Sequence, residues 1–186
     1  KSHLAFFRKY IPRFLNKAKS IATVSQFSKN DIIKQYQIDE AKIDVVYSAS
    51  KEIFQPSTDE EKNATKNKYT EGREYFLYTG AIHPRKNLMH LLKAFSIFKK
   101  RLQSNMKLVI AGRLAWQYGS FIESLKTYKY RSDVVLTGYL EESELVKITG
   151  AAYALVYPSL FEGFGVPPIE AMQCHTPVIT SQSSAM

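Results

Sequence analysis

The chain has 186 residues, of which 45% are hydrophobic and 23% charged, and its 26 lysines and arginines outnumber its 17 acidic residues by nine. This composition excludes a disordered chain, a collagen-like repeat and a coiled coil. A single cysteine, Cys174, excludes an internal disulfide, and four dispersed histidines do not make a zinc site. With no membrane-length apolar run and no secretory signal, the sequence predicts a globular, cytoplasmic protein.

The first 30 residues are basic, with seven cations before the first acidic residue, Asp31. Aromatic and aliphatic residues recur among them at helical spacing, and Pro12 predicts a break or the start of a second helix. Such a segment can lie on an anionic membrane surface or contact nucleic acid. The alternative is a surface helix that packs its aromatic face on the core. No recognition helix, RNP aromatic pattern or Cys/His finger follows, which disfavours a nucleic-acid function. The seven cations are Lys1, Arg8, Lys9, Arg13, Lys17, Lys19 and Lys29.

The next elements are a strand over residues 21–24, a helix capped by Ser25 or Ser28 that runs to Tyr36, and a strand over 43–47. The composition then changes, because residues 55–74 form a polar linker followed by a surface helix. We therefore predict a boundary near residues 48–56, which divides the chain into residues 1–50 and residues 51–186.

Beyond this boundary, five short apolar strands alternate with four helical patterns. Strands of this kind predict a parallel sheet that is covered on both faces, in a Rossmann-like doubly wound α/β fold. Ligands bind such sheets at the carboxyl ends of the strands, so the candidate loops are 79–87, 112–117, 137–141 and 158–166. The predicted strands are 75–78, 108–111, 134–136, 152–157 and 178–180, and the predicted helices are 87–102, 118–128, 142–149 and 167–174.

Glycines stand at the candidate loops. Gly80, Gly112 and Gly138 each stand at the carboxyl end of a predicted strand, and the last loop contains Gly163 and Gly165. Glycine permits positive φ angles and a close approach of the backbone to a ligand. No P-loop pattern occurs, and the last loop lacks the third glycine of the dinucleotide fingerprint. A P-loop NTPase and a standard NAD enzyme are therefore disfavoured.

Two cations, Arg85 and Lys86, stand just before the predicted helix 87–102. The N-terminal end of a helix dipole is positive, so two cations at this end are unfavourable on their own. A bound anion would offset both positive charges and the dipole. Backbone N–H groups, an arginine fork and a lysine charge together suit a diphosphate. The alternative interpretation is a solvated basic turn.

Two carboxylates, Glu162 and Glu170, flank the start of the last predicted helix. With Pro167 at the first helical position, Glu162 is expected in the loop and Glu170 in the first turn, both facing one cleft. The pair is compatible with general acid–base catalysis, with a metal site, or with two acceptors for sugar hydroxyls. Alternatively, Glu170 only complements the helix dipole.

Residues 159–172 (SLFEGFGVPPIEAM), followed by Thr176-Pro-Val, resemble the E-x7-E region of the retaining group 1 (family four) glycosyltransferases, which have the GT-B fold. Gly80 with PRKN at residues 84–87, the strand ending at Gly112 and the strand ending at Gly138 follow the order of that family. Residues 23–28 and 45–47 resemble the end of its acceptor lobe and its hinge strand. The resemblance covers nearly the whole chain from about Ile21.

The resemblance implies roles for individual residues. Arg85 and Lys86 would bind the diphosphate of a sugar nucleotide, Glu162 would contact the donor sugar, and Glu170 would accept hydrogen bonds from the ribose. The other donor-binding positions would be Gly80 and Gly112 by close approach, Gly138 and Tyr139 near the base, and Phe164, Gly165 and Val166 through their backbone N–H groups.

The resemblance further implies a fragment, namely a sugar-nucleotide-binding lobe (51–186) with the end of the acceptor lobe (1–50), inactive alone. The reaction would move a sugar from a UDP-sugar or GDP-mannose to a glycan or lipid-linked acceptor of a bacterial-type surface polysaccharide or glycolipid, with retention and without a metal. The basic start would favour an anionic membrane at the inner face of the cell. Two alternatives stay open, a non-enzymatic nucleotide- or polyanion-binding module and a basic membrane-surface adaptor.

Overall fold

The computed structural model describes residues 2–186, with side chains from residue 4 onward, and Lys1 of the predicted basic segment lies outside the described residues. The chain forms two compact units. The smaller contains the described part of Lys1–Ser48 with Glu162–Phe164 and Ala185, and the larger contains Ala49–Phe161 with Gly165–Ser184 and Met186. Within residues 2–186, no helix combines the length and the hydropathy needed to cross a bilayer.

The described part of the smaller unit has two α-helices and two short strands, α1 (Ser2–Lys17), β1 (Ile21–Thr23), α2 (Gln26–Tyr36) and β2 (Ile43–Val45). The strands pair in parallel, with Ile21 opposite Ile43. Helix α2 begins after Ser25, whose hydroxyl accepts a hydrogen bond from the backbone N–H of Ser28 at 3.0 Å. It ends where Gln37 takes the left-handed conformation.

Helix α1 differs from the sequence prediction in two respects. It continues through Pro12, so the predicted break is wrong. A proline removes one backbone donor, and the hydrogen bonds on either side still form. Of the alternatives for its aromatic face, packing on the core is not what the structure shows, because these side chains contact one another instead, with the Phe6 and Tyr10 ring centroids 4.6 Å apart. The exposed fractions are 58% for Leu4, 51% for Phe6, 51% for Phe7 and 60% for Phe14.

The larger unit is built on a sheet of five parallel strands in the order β5-β4-β3-β6-β7. Counted from the first strand of this unit, the order is 3-2-1-4-5, which is that of the doubly wound nucleotide-binding folds. The predicted fold class is confirmed. The strands are β3 (Tyr75–Thr79), β4 (Lys107–Ala111), β5 (Val134–Gly138), β6 (Ala154–Tyr157) and β7 (Val178–Thr180).

Five α-helices accompany this sheet. The central strands are apolar on both faces, and Leu77, Val109 and Leu155 are fully buried. Such strands need cover on both sides of the sheet. The helices are α3 (Asp59–Thr70), α4 (Leu88–Leu102), α5 (Gly119–Lys126), α6 (Glu142–Gly150) and α7 (Val166–Gln173).

Helix α7 begins one residue earlier than predicted. Gly165, with φ +101°, precedes it, and Val166 takes the first helical position. Pro167 and Pro168 follow at the second and third positions, where a backbone N–H has no partner within the helix and its absence costs little. Glu170 is therefore the fifth helical residue and lies beyond the first turn, contrary to the prediction.

The amino end of the sheet is fixed by a buried ion cluster. The carboxylate of Asp133 lies 2.9 Å from the ammonium of Lys99 and 3.5 Å from that of Lys107, and both lysine side chains are more than 90% buried. Each ammonium also donates to a backbone carbonyl, of Met106 and Ser132 respectively. The cluster pins β4 and β5 at the end opposite the candidate loops.

Helix α3 is tied to α6 through Glu144. This carboxylate accepts hydrogen bonds from Lys68 and from the phenol of Tyr69 at 2.8 Å, both on α3, and from Lys147 at 3.0 Å. These donors, Lys68 first, lower the pKa of Glu144 from 4.5 to about 2. Because the folded-state pKa is depressed, the stabilisation is complete above about pH 4.5 and is lost as the pH falls towards 2.

We therefore expect Glu144→Gln to destabilise the protein by about 1 kcal/mol at pH 6 and to lose this effect near pH 2, since the pair is partly solvent-screened. Urea unfolding midpoints at both pH values measure the difference. Glu123→Gln, which disrupts only the exposed pair with Lys126, is the matched control. An equal penalty for Glu144→Gln at both pH values would contradict the assignment.

Candidate functional site

A cleft of about 610 Å³ opens at the carboxyl ends of β3, β4 and β5. This volume is typical of small-molecule sites, and this edge is where parallel sheets bind their ligands. Of the predicted residues, the cleft brings together Gly80, Gly112, Tyr139 and Glu170. Gly138 directly precedes Tyr139. The rest of the wall includes Ala81, Arg113, Leu140, Leu145 and Pro167.

A close approach of two loops requires glycine at residue 112. Gly112 has φ +156°, and a Cβ atom added to it would lie 1.9 Å from the carbonyl oxygen of Gly80. The N–H of Gly80 donates to the carbonyl of Ala111 at 2.9 Å, and that of Gly112 donates to the carbonyl of Gly138 at 2.8 Å. The floor of the cleft is therefore bare backbone, which a ligand can approach closely.

The pairing of β3 with β4 continues beyond the ends of both strands. The N–H of Ile82 donates to the carbonyl of Arg113 at 3.0 Å, and the N–H of Ala115 donates back to the carbonyl of Ile82 at 3.2 Å. Ile82 and Leu114 form an isolated parallel bridge. The loop that carries Arg113 is thus a rigid extension of the sheet.

A β-bulge in β5 sets the direction in which the loop that carries Tyr139 leaves the sheet. Ile110 pairs with Leu136, but the next residue, Ala111, pairs with Gly138, so Thr137 is an extra residue in β5. Bulges bend a strand and redirect the side chains that follow. Gly138 then has φ +70°, and Tyr139 stands 70% exposed at the cleft.

Arg85 and Lys86 lie in one 3-10 turn, Pro84–Lys86, on the loop whose first residues line the cleft. The turn begins at His83, whose Nδ1 accepts a hydrogen bond from the N–H of Arg85 at 3.1 Å. The backbone carbonyl of Arg85 accepts a hydrogen bond from the N–H of Leu160 at 2.9 Å. The exposed guanidinium of Arg85 donates to the backbone carbonyl of Phe161. The turn is therefore fastened to the loop that follows β6.

Lys86 is buried, with 9% of its surface exposed. Its ammonium donates to the phenol oxygen of Tyr157 and lies 4.7 Å from the centroid of that ring. Asn87, with φ +62°, donates from its side chain to the carbonyl of Pro158 at 3.1 Å. The interpretation as a solvated turn is therefore wrong for Lys86, because its side chain is shielded from water. Lysine is seldom buried unless it has a polar partner, and here the partner is Tyr157.

The start of α7 offers few backbone donors. Pro167 and Pro168 carry no N–H, so within the first three helical positions only Val166 supplies one, and Gly165 supplies the one before it. These are two of the three residues predicted to present N–H groups to a ligand. The positive end of the helix dipole adds to both donors.

Glu170 is half-buried in the wall of the cleft. Its burial raises its pKa above the ordinary value, the Lys51 ammonium lowers it, and the Glu142 carboxylate raises it. Lys51 forms an ion pair with Glu142. A carboxylate held in a largely apolar wall is a strong acceptor for ligand hydroxyls.

Glu162 and Phe164 belong to the smaller unit. Glu162 is 8% exposed, and its carbonyl accepts from the N–H of Ala185 at 3.4 Å. The ring of Phe164 lies 6.1 Å from that of Tyr47, and Ser28 donates to the carbonyl of Gly163 at 3.3 Å. That Glu162 contacts a donor sugar stays a prediction.

Sequence reasoning missed two residues of this region. Arg113 lines the cleft, and its signal was its place directly after Gly112 at the end of a strand. Tyr157 holds Lys86, and no sequence signal revealed it because the pairing depends on the strand order. Among the described side chains, those of residues 4–186, no group of three or more His, Cys, Asp or Glu residues is arranged to hold a metal ion.

The profile of the family described as Glycosyl transferases group 1 matches residues 59–186. O-antigen chain mannosyltransferase B of Escherichia coli is 29% identical over 187 residues, which cover 100% of this chain and 49% of that protein. O-antigen chain mannosyltransferase RfbU of Salmonella typhimurium is 33% identical over 177 residues, which cover 95% of this chain and 46% of that protein. The chain thus spans about half the length of these relatives.

Among solved structures, Anabaena Alr3699/HepE in complex with UDP and glucose superposes with a TM-score of 0.81 at 14% identity, covering 92% of this chain and 46% of that one. This likeness shows the fold, a lobe of the GT-B type. The family match extends over more than half of the chain, including all five strands of the larger sheet. The chain therefore belongs to the group 1 glycosyltransferases.

Proposed function

We propose that this chain supplies the nucleotide-sugar-binding part of a retaining glycosyltransferase that transfers a sugar to a glycan or lipid-linked acceptor. The observation that carries the proposal is the cleft at the carboxyl edge of the sheet, with bare glycine backbone on its floor and Glu170 in its wall. The names of the two O-antigen mannosyltransferases favour mannose as the sugar. Residues 51–186 would form the donor-binding lobe and residues 1–50 the end of the acceptor lobe.

The cleft itself would hold the nucleoside. The carboxylate of Glu170 would accept hydrogen bonds from the two ribose hydroxyls, which are donors at a matching spacing. The exposed ring of Tyr139 would lie beside the base. Gly80 and Gly112 would let the nucleotide approach the backbone closely, since neither carries a side chain.

The diphosphate would be the leaving group. When the bond between sugar C1 and the phosphate oxygen breaks, the electron pair stays on the diphosphate, and its negative charge grows. Arg85 and Lys86 would stabilise this charge together with the N–H groups of Gly165 and Val166. These donors would make a metal ion unnecessary.

Glu162 and the backbone N–H of Phe164 would contact the donor sugar. Retention would follow from attack of the acceptor on the same face from which the diphosphate departs. We assign no protein nucleophile.

Titration of the chain with GDP-mannose and UDP-glucose tests the proposal. We expect Glu170→Gln to weaken donor binding about tenfold, since a neutral amide accepts more weakly than a carboxylate. Because burial raises the pKa of Glu170, wild-type binding should weaken on acidification at a higher pH than an ordinary glutamate would give. The variant should lack this pH dependence.

Glu123→Gln, in an exposed pair on α5, is the matched control and should bind like the wild type. Binding of a sugar nucleotide no tighter than of the bare nucleoside would contradict the proposal. Equal binding of any polyanion, lost at moderate salt, would instead favour a polyanion-binding module, which the net charge of +9 suits.

Helix α1 exposes aromatic and basic side chains, which suit binding to an anionic membrane surface, such as the inner face of the cell membrane. We propose that these side chains contact the membrane that carries a lipid-linked acceptor. Sedimentation with vesicles rich in anionic lipid measures this contact. If such vesicles retain the chain as well after Glu170→Gln, membrane contact and donor binding are separate properties.

A further inference from the structure

Arg113 is a cation in the wall of the cleft, and the proposed chemistry of the diphosphate gives it no role. Its backbone is fixed, because its carbonyl accepts from Ile82 and the neighbouring Gly112 donates to Gly138. Its side chain is exposed and lines the cleft, and within the described part of the chain it forms no hydrogen bond or ion pair. A fixed backbone with an available guanidinium is suited to ligand recognition.

The strand order places Arg113 away from the proposed diphosphate groups. Arg85 and Lys86 follow β3 and are fastened to the loop after β6, its neighbour. Arg113 follows β4, and β3 separates β4 from β6 in the sheet. The strand that carries Arg113 therefore lies two interstrand distances, about 10 Å, from β6. Its other neighbour is β5, whose loop carries Tyr139 and Leu140.

The surroundings of Arg113 suit a flat heterocycle. Tyr139 offers an aromatic ring, and Leu140 and Leu145 add apolar surface to the same cleft. A base that stacks on such a surface presents its polar edge to the nearest hydrogen-bonding side chain. Arg113 can only donate, so it selects an edge made of acceptors.

Guanine and uracil differ on this point. Guanine presents two adjacent acceptors, O6 and N7, which match the fork of an arginine. Uracil places the N3–H donor between its two carbonyl oxygens, so a guanidinium finds one acceptor beside a competing donor. Resting on the proposed function of this cleft, we propose that Arg113 reads the donor base and selects guanosine over uridine diphosphate sugars.

Calorimetric titration with GDP, UDP and inorganic pyrophosphate tests this assignment. We expect the wild-type chain to bind GDP more tightly than UDP. Arg113→Ala should weaken GDP binding at least tenfold and change UDP and pyrophosphate binding less than twofold. Arg113→Lys should not restore GDP binding, because an ammonium is a point charge without the planar fork. Arg101→Ala, at an exposed position of α4, is the matched control.

Tighter binding of UDP by the wild type would overturn the assignment. So would an equal loss of all three ligands in Arg113→Ala, since that would place the guanidinium on the phosphates. In both cases nucleotides still bind, and the proposed function stands. Failure of the wild type to bind either nucleotide would instead remove the proposed function, and the base assignment with it.

Discussion

Replacement of Gly112 by alanine is expected to destabilise the protein by about 3–5 kcal/mol. The added Cβ would lie 1.9 Å from the carbonyl oxygen of Gly80 and 2.6 Å from its carbonyl carbon. Both atoms are backbone, so the clash cannot be relieved by a side-chain rotation. One of the two loops must move, and the hydrogen bond from Gly112 to Gly138 would be strained with it.

Two other glycines separate the clash from the effects of backbone conformation. Gly138 also has a positive φ, +70°, but a Cβ there meets nothing within 4 Å, so Gly138→Ala should cost only about 1 kcal/mol. Gly119 has open space around it at the first position of α5, and Gly119→Ala should be neutral or stabilising by up to about 1 kcal/mol. Urea unfolding measures all three, and similar losses for Gly112→Ala and Gly138→Ala would refute the close approach.

Much of the fold was predictable because its signals are local. Apolar strands and amphipathic helices are set by short-range periodicity, and the place of Ser25 before a helix made it one of two candidate caps, of which the structure uses Ser25. Glycine after a strand likewise reports a backbone requirement at one position, which Gly112 and Gly138 meet with positive φ angles. Such features need no knowledge of what lies across the sheet.

The parts that failed depend on distant neighbours. The burial of Lys86 against Tyr157 joins residues 71 positions apart, and it exists only because β3 and β6 are adjacent. The spacing of aromatic residues in α1 predicted a helix correctly but did not tell whether a core would cover them. Arg113 was overlooked because an arginine in a loop is usually solvated.

The second large effect concerns Lys86, and we expect Lys86→Met to weaken binding of a nucleoside diphosphate about 100-fold. Removing one ammonium from a diphosphate site deletes a charge-assisted interaction, worth about 1.5–3 kcal/mol, in a region shielded from water. Methionine retains most of the apolar length that packs on Tyr157. Some loss of stability is expected, because the change also takes a donor away from the buried hydroxyl of Tyr157.

The ligand series makes the role of Lys86 specific. If Lys86 holds the diphosphate, Lys86→Met should weaken GDP binding strongly and guanosine binding by less than twofold, in titrations at a temperature at which the variant is folded. Lys126→Met, at an exposed position of α5, should leave both ligands unaffected. Equal losses for GDP and guanosine would instead mean that Lys86 only shapes the cleft through Tyr157. Arg85→Met should have a smaller effect than Lys86→Met, because Arg85 is exposed to screening solvent and its guanidinium already donates to the carbonyl of Phe161.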